Sequence, residues 1–74
     1  MTAGEPGERV RVNGTWRALA DRTVDDVCRE LGVDPARPGV AVAVNEEIVP
    51  RVRWKETRLR AGDVVEIVGA TQGG

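Results

Sequence analysis

An Asn-Gly pair between two short alternating segments limits the folds open to this chain more than any other feature. Residues 9–12 alternate arginine and valine, Asn13 and Gly14 follow, and residues 15–19 resume a strand-like pattern. Asn-Gly between two such segments is the strongest short-range signal for a type I′ hairpin. We therefore expect the folded part of the chain to open with two antiparallel strands.

A single amphipathic helix is predicted after this hairpin. Thr23 can cap backbone N–H groups, and the two aspartates that follow Val24 lie in the first turn, where the helix dipole favours acidic side chains. The apolar residues that recur at helical spacing are Val24, Val27, Cys28 and Leu31. Gly32 suits the left-handed position that ends many helices. Such a helix needs an apolar sheet face to cover.

Two more strands are predicted after a connection rich in proline and glycine. The segment 40–44 carries valine at every second position, which suits a strand whose valine face meets the helix. A turn at 45–47 leads into a short strand, Ile48 and Val49, which Pro50 stops. A strand that ends so early fits the edge of a sheet better than its middle.

The last predicted strand, residues 64–68, leads to the end of the chain. Val65 and Ile67 are expected on its buried face, and the even-numbered residues on the opposite face. Residues 69–74 carry nothing that would anchor them, so we expect a flexible tail ending in Gly-Gly. The polar, glycine-rich residues 1–8 are expected to be a disordered leader. The folded domain is predicted over residues 9–68.

The order of these elements predicts an α+β fold of the β-grasp, or ubiquitin-like, kind. A mixed sheet of four to five strands would carry one main helix on one face, with the last strand inserted beside the first. The predicted core consists of Val10, Val12, Leu19, Val24, Val27, Leu31, Val42, Val44, Ile48, Val65 and Ile67.

The composition excludes several classes of function. One cysteine cannot form a disulfide within the chain, and the absence of histidine removes the commonest metal ligand and general base. A net charge of −1, from 11 basic and 12 acidic residues, gives no general attraction to nucleic acid or to a membrane. No apolar segment is long enough for a membrane span or a signal peptide. We therefore expect a cytoplasmic protein that recognises its partners through local surface.

The functional candidate among the residues themselves is the α-carboxylate of Gly74. Its reference pKa of about 3.3 to 3.7 leaves it ionised at neutral pH. Because Gly73 and Gly74 have no Cβ, the end of the chain, with Gln72 before them, can thread a slot as narrow as a peptide backbone. Two terminal glycines also arise by composition alone, since nine of the 74 residues are glycine.

A docking patch for a partner is predicted beside this tail. Outward-facing Val64 and Val68 would form it, with Val49 and Pro50 nearby. Unremarkable exposed valines are an equal alternative, because scattered apolar residues are normal on protein surfaces. Cys28 lies on the apolar stripe of the helix, which favours a buried small side chain over a persulfide acceptor.

Four sequence elements occur here in an order known from one family. They are Val-Asn-Gly at 12–14, the segment 40–51 with Trp54 behind it, the segment 59–68 with its Gly-Asp turn, and the terminal Gly73-Gly74. They resemble the ThiS sulfur-carrier proteins of thiamine thiazole biosynthesis, and the resemblance covers roughly residues 9–74. The leader is longer than is usual in that family, and many of its members carry threonine where this chain has Gly69.

The resemblance implies a protein co-substrate rather than an enzyme. In similar proteins an E1-like adenylyltransferase of the ThiF type uses ATP and Mg²⁺ to join the C-terminal carboxylate to AMP. Sulfur from a cysteine desulfurase or a rhodanese persulfide then displaces AMP and leaves a thiocarboxylate. By this resemblance Gly74 would carry the sulfur, and a thiazole synthase of the ThiG type would accept it. The chain itself would bind no cofactor and would be a monomer when free.

Other functions share the terminal Gly-Gly and remain alternatives. They are a carrier like the molybdopterin-synthase small subunit, a carrier for another sulfur metabolite, a ubiquitin-like protein modifier and an RNA-binding β-grasp module. The internal Val-Asn-Glu-Glu and Pro-Arg-x-x-Trp elements favour the thiazole carrier. The basic residues within 51–60 favour a solvated loop or an adenylyltransferase contact over RNA, because Glu56 interrupts them and the net charge is −1.

Overall fold

The fold is a mixed sheet with a helix packed across one of its faces. The computed structural model describes residues 8–69. Its elements are β1 (Val10–Val12), β2 (Thr15–Arg17), α1 (Val24–Glu30), β3 (Val40–Val44), β4 (Glu47–Ile48), a 3-10 turn (Arg51–Arg53) and β5 (Val64–Gly69). The predicted carrier residues Gln72, Gly73 and Gly74 lie outside the described range, as do residues 1–7 of the predicted leader.

The five strands lie in the order β2-β1-β5-β3-β4. The last strand, β5, occupies the centre, where it runs parallel to β1 and antiparallel to β3. This arrangement confirms the predicted α+β, β-grasp fold and the edge position of the short fourth strand. Strand β5 extends one residue beyond its predicted end, because Gly69 still pairs with Val40.

Both hairpins turn through two residues with left-handed backbone. Asn13 and Gly14 have φ values of 50° and 85°, the combination that a type I′ turn requires. The second hairpin, between β3 and β4, uses Asn45 and Glu46, whose φ values are 52° and 71°. The first turn confirms the prediction from Asn-Gly, and the second forms without any glycine.

Helix α1 begins and ends at the predicted signals. The Thr23 hydroxyl accepts a hydrogen bond from the Asp26 N–H at 3.1 Å, and the Asp26 carboxylate accepts one from the Thr23 N–H at 3.2 Å. This reciprocal capping box lowers the pKa of Asp26, chiefly through the hydrogen bond from the Thr23 backbone. Gly32, with a φ of 79°, follows the C-cap residue Leu31.

The core lies between α1 and the sheet. Its buried apolar residues are Val10, Val12, Leu19, Val24, Val27, Cys28, Val40, Val42, Trp54, Leu59 and Val65. Of the other predicted core residues, Leu31, Val44 and Ile67 are partly buried. Trp54 and Leu59 are the apolar anchors expected within the charged segment 51–60, and both are buried, although that segment has no apolar periodicity.

The prediction that Ile48 belongs to the core is wrong. Its side chain is 71% exposed. Ile48 pairs with Ala43 of β3, and Ala43 pairs in turn with Glu66 of β5. Directly paired residues share a face of a sheet, so Ile48 projects away from the helix.

Within residues 8–69, no helix is long and apolar enough to cross a membrane. The helix α1 has seven residues, whereas a membrane span needs about 20.

Candidate functional site

Strand β5 carries the chain toward its C-terminal residues, and the Asn13 side chain extends its pairing on one side. Strand β1 ends at Val12, opposite Val65. Beyond that point the Asn13 side chain accepts a hydrogen bond from the Ile67 N–H at 2.9 Å and donates one to the Ile67 carbonyl at 3.3 Å. The amide thus takes the place of one more residue of strand. This is a structural role for the Asn of the Val-Asn-Gly element.

The start of β5 is held by the second left-handed asparagine. The Asn45 Oδ1 accepts a hydrogen bond from the Val64 N–H at 2.9 Å, and the Asn45 N–H donates to the Val64 carbonyl at 2.7 Å. Its Nδ2 donates to the Asp63 carboxylate at 3.0 Å. Two asparagines at hairpin turns therefore hold β5 near both ends, which fixes the direction in which the chain leaves at Gly69.

The Pro-Arg-x-x-Trp element forms a clamp rather than a reactive site. The Arg51 guanidinium donates hydrogen bonds to the carbonyl oxygens of Pro35, Arg37 and Val40, at 2.8 Å for Arg37 and 3.3 Å for Val40. It also lies over the Trp54 ring, with 4.5 Å between Cζ and the ring centroid. One planar cation therefore ties the loop before β3 to the 3-10 turn.

Trp54 forms the buried side of this clamp. Its ring is buried, and its indole Nε1 donates a hydrogen bond to the Val49 carbonyl at 2.8 Å. Pro50 begins the 3-10 turn, where its missing N–H is no loss. The element is therefore explained by folding alone.

Replacement of Arg51 by lysine is expected to lower the free energy of unfolding by about 2 kcal/mol. Lysine keeps the charge but cannot donate to three carbonyls at once or stack on the ring, and hydrogen bonds to charged groups contribute roughly 1.5 to 3 kcal/mol each. Urea denaturation measures the change. The matched control is Arg53→Lys, two residues away on the same turn and exposed, which should change stability by less than about 0.5 kcal/mol. Equal effects of the two substitutions would contradict the clamp.

The sheet face opposite the helix carries a patch of exposed apolar side chains. The exposed fractions are 45% for Trp16, 71% for Ile48, 40% for Val64 and 60% for Val68. The strand register places all four on this side: Arg11 pairs with both Trp16 and Val64, Ala41 with Val68, and Ala43 with Ile48. We call this patch, Trp16, Ile48, Val64 and Val68, the open sheet face.

The structure brings only part of the predicted docking patch together. Val64 and Val68 share the open sheet face. Val49 is partly buried against the core on the helix side, and its N–H donates to the Val42 carbonyl. Pro50 is exposed at the start of the 3-10 turn. Val49 therefore does not share a face of the sheet with Val64 and Val68, whereas Ile48 does, and the role of this patch in docking stays a prediction.

One shift in phase explains both corrections in this region. Strand β4 is Glu47–Ile48 rather than Ile48–Val49, and a shift by one residue exchanges the two faces of a strand. The two-residue turn at Asn45 and Glu46 sets this register. Trp16 joins this face from β2, because the two-residue turn at 13–14 pairs it with Arg11.

The only cysteine does not have the environment of a reactive thiol. Cys28 is fully buried, and burial raises the pKa of its thiol, with Asp25 adding to the effect and Arg51 opposing it. The thiol is therefore protonated at neutral pH, in line with its place on the apolar stripe. No group of three or more His, Cys, Asp or Glu side chains that could hold a metal ion occurs among residues 8–69.

Comparison with known proteins identifies the family. The sequence profile of the ThiS family matches residues 10–74. The chain belongs to the ThiS family. The sulfur carrier protein ThiS of Thermus thermophilus is 43% identical over 65 residues, which cover 88% of this chain and 98% of that ThiS protein. The sulfur carrier protein ThiS of Escherichia coli K12 is 33% identical over 58 residues, or 78% of this chain and 85% of that one.

A solved ThiS structure supports the same assignment. The crystal structure of the thiamine biosynthesis protein (ThiS) from Geobacter metallireducens matches with a TM-score of 0.70 and 27% identity, over 89% of this chain and 99% of that chain. The resemblance to ThiS proteins inferred from the sequence is confirmed. Strand β5 with its two asparagines and the Pro-Arg-x-x-Trp clamp are thus parts of the scaffold of a ThiS-family protein.

Proposed function

We propose that this chain carries sulfur on the C-terminal carboxylate of Gly74 for the thiazole ring of thiamine. The observation that carries the proposal is the ThiS-family match, which runs through Gly73 and Gly74 and includes relatives named as sulfur carriers. The chain would act as a protein co-substrate in the cytoplasm, and its partners would do the catalysis.

The chemistry explains why the carrier needs an activating enzyme. A carboxylate is a poor acyl donor because oxide is a poor leaving group. A ThiF-type adenylyltransferase would let the Gly74 carboxylate attack the α-phosphorus of ATP, with Mg²⁺ neutralising the phosphates and pyrophosphate leaving. The terminal sulfur of a cysteine desulfurase or rhodanese persulfide would then attack the carbonyl carbon and expel AMP, which gives an acyl disulfide. A second thiol on the partner proteins would attack the donor's sulfur, so that a disulfide forms there and the thiocarboxylate is released. The thiocarboxylate formed would pass its sulfur to a ThiG-type thiazole synthase.

The glycines and the rigid strand would serve this chemistry in different ways. A side chain at Gly73 or Gly74 would crowd the approach to the carbonyl carbon inside a narrow channel. Ordering the five residues 70–74 in such a channel costs about 1 to 2 kcal/mol for each residue. Contacts elsewhere must offset that cost, and the open sheet face is the surface best suited to supply them.

Docking on the open sheet face would also position the tail. Val64 and Val68 belong to β5 itself, the strand that Asn13 and Asn45 hold at both ends. A partner that grips this face therefore grips the strand from which the last residues continue. The direction of the carboxylate would follow from the docking contact.

Intact-mass spectrometry tests the proposal directly. The chain is incubated with ATP, Mg²⁺, a ThiF-type adenylyltransferase and a sulfide source, and a mass increase that matches the exchange of one oxygen for one sulfur is expected. The increase should be absent when ATP is omitted. A thiocarboxylate formed only with a molybdopterin-type adenylyltransferase would assign the chain to that pathway. Chains recovered in amide linkage to other proteins, with no thiocarboxylate from either enzyme, would support a protein modifier.

A further inference from the structure

The turn between β1 and β2 contains the pair of residues that most readily loses a side-chain amide. Asn13 and Gly14 are both exposed. Apart from the two chain neighbours of Gly14, no heavy atom of residues 8–69 lies within 4 Å of the place that a Cβ on Gly14 would occupy. Because glycine has no side chain, its backbone nitrogen can approach the amide carbon of the preceding asparagine without hindrance. The turn thus contains both groups that deamidation needs, and water has access to them.

The reaction consumes only water. A bond forms between the Gly14 nitrogen and the Asn13 Cγ, the Cγ–Nδ2 bond breaks, and ammonia leaves with the proton that the Gly14 nitrogen loses. Water then opens the resulting succinimide ring at one of its two carbonyl groups. Opening at the side-chain carbonyl gives an aspartate. Opening at the main-chain carbonyl gives an isoaspartate, in which the main chain runs through the side-chain carbon atoms.

The fold holds the Asn13 amide in another position. Its Oδ1 accepts a hydrogen bond from the Ile67 N–H at 2.9 Å, and its Nδ2 donates one to the Ile67 carbonyl at 3.3 Å. Ring closure has to turn the amide toward Gly14 and make Cγ tetrahedral, so both hydrogen bonds break before the new bond forms. Deamidation of the folded chain therefore has to wait until the end of β5 opens locally.

The second hairpin turn provides an internal comparison. Asn45 has a φ of 52°, against 50° for Asn13. Its side chain is also bound by two hydrogen bonds, one from the Val64 N–H at 2.9 Å and one to the Asp63 carboxylate at 3.0 Å. The residue that follows Asn45 is Glu46, whose side chain hinders attack by its own nitrogen. We therefore expect deamidation at Asn13 and not at Asn45.

Deamidation removes the contact between Asn13 and β5. An aspartate places an oxygen where Nδ2 was, so the hydrogen bond to the Ile67 carbonyl is lost and two acceptors face each other. An isoaspartate lengthens the main chain by one carbon atom, which a two-residue type I′ turn does not accommodate. Strand β1 ends at Val12, and the Asn13 side chain is what continues the pairing of β5 on that side as far as Ile67.

We propose that Asn13 is a deamidation site that the hydrogen bonds to Ile67 protect in the folded chain, and that its conversion to isoaspartate releases the end of β5. The modification is spontaneous, and the loss of ammonia makes it irreversible. It loosens the strand from Ile67 to Gly69, where the chain continues toward its C-terminal residues. The inference is independent of the proposed function, because it involves no partner and no residue beyond Gly69.

Peptide mapping by mass spectrometry tests the protection. The full chain is kept folded in buffer and unfolded in guanidinium chloride at the same pH and temperature. Trypsin cuts after Arg11 and Arg17, so residues 12–17 form a peptide in which Asn13 is the only asparagine. We expect Asn13 to deamidate at least about ten-fold faster in the unfolded chain. Asn45 should stay largely unmodified in both samples.

Two outcomes of this mapping would overturn the proposal. Equal rates at Asn13 in the folded and unfolded chains would show that the hydrogen bonds to Ile67 give no protection. Equal rates at Asn13 and Asn45 in the unfolded chain would show that the glycine after Asn13 does not direct the reaction.

Hydrogen exchange of the Ile67 amide tests the consequence. The isoaspartyl form is isolated from the unfolded sample and refolded, and its Ile67 N–H should exchange about ten-fold faster than in the fresh chain, with that of Val27 in α1 unchanged. Asn13→Gly should give the same result, because glycine keeps the left-handed turn and removes the amide. The matched control is Asn45→Gly, which should speed the exchange of Val64 and not that of Ile67.

The release of β5 has its own contrary results. Exchange of Ile67 at the rate of the fresh chain, in both the isoaspartyl form and Asn13→Gly, would show that Asn13 does not hold the strand. An isoaspartyl chain that fails to refold, or one in which Val27 also exchanges faster, would show that the damage is not confined to the end of β5.

Discussion

A chain that ends at Gly73 is expected to take up no sulfur, yet to unfold at the temperature of the full chain. The carboxylate would then lie one residue, about 3.5 Å, short of the point where the anhydride with AMP forms. Misplacement of a reacting group by as little as 1 Å costs about a hundred-fold in rate. The buried core, in contrast, ends at Val65, so the loss of Gly74 removes none of it.

Two measurements check this expectation together. Intact-mass spectrometry after incubation with the adenylyltransferase and sulfide reports loading, and a thermal melt reports stability, which should change by less than about 2 °C. Removal of residues 1–7 is the matched control at the other end of the chain and should leave loading intact. Sulfur found on a chain ending at Gly73 would show that the position of the carboxylate is not decisive. A melting temperature lowered by several degrees would show that Gly74 contributes to the fold.

The substitution Val65→Asp is expected to unfold the domain. Val65 is 1% exposed and lies in the central strand, paired with Val12 of β1 and Val44 of β3. A domain of this size has a free energy of unfolding of about 3 to 9 kcal/mol. A carboxylate buried without a partner costs enough to cancel most of it. The expected result is a ¹H–¹⁵N spectrum with collapsed dispersion.

The adjacent substitution Val64→Asp is the control for Val65→Asp. Val64 is on the same strand but on the open sheet face, 40% exposed, where Glu66 already places a charge. This variant should stay folded, and the charge it adds to the proposed docking surface should slow adenylation. A well-dispersed spectrum for Val65→Asp would contradict the register. A folded Val64→Asp chain with normal adenylation would remove Val64 from the docking surface.

The elements that local signals specify were predictable. Asn13 and Gly14 are among the few residues that accept left-handed backbone, so their turn and the first hairpin follow from two letters of sequence. Thr23 and Gly32 bound α1 in the same way, since caps satisfy backbone groups within a few residues. The order of these elements then leaves few ways to cover the helix, which is why the β-grasp fold was predicted.

The sequence does not decide which residue of β4 faces the helix. Ile48 and Val49 are both apolar and β-branched, so neither hydropathy nor propensity decides which of them faces the helix. The left-handed turn at Asn45 and Glu46 decides which residue faces the helix. That turn contains no glycine, so the sequence carries no strong signal for it. The predicted docking patch therefore combined residues from two faces.

The sequence by itself determined the family, the secondary-structure order and the candidate carrier residue Gly74, because each depends on residues close together in the chain or on its last two letters. Only the tertiary structure decided that Arg51 binds the carbonyls of Pro35, Arg37 and Val40, and that Ile48 shares the open sheet face with Val64 and Val68. These groups are separated by 11 to 20 residues or lie in segments without periodicity. Long-range contacts of this kind arise from how the helix and the sheet pack, and no local preference of the chain encodes them.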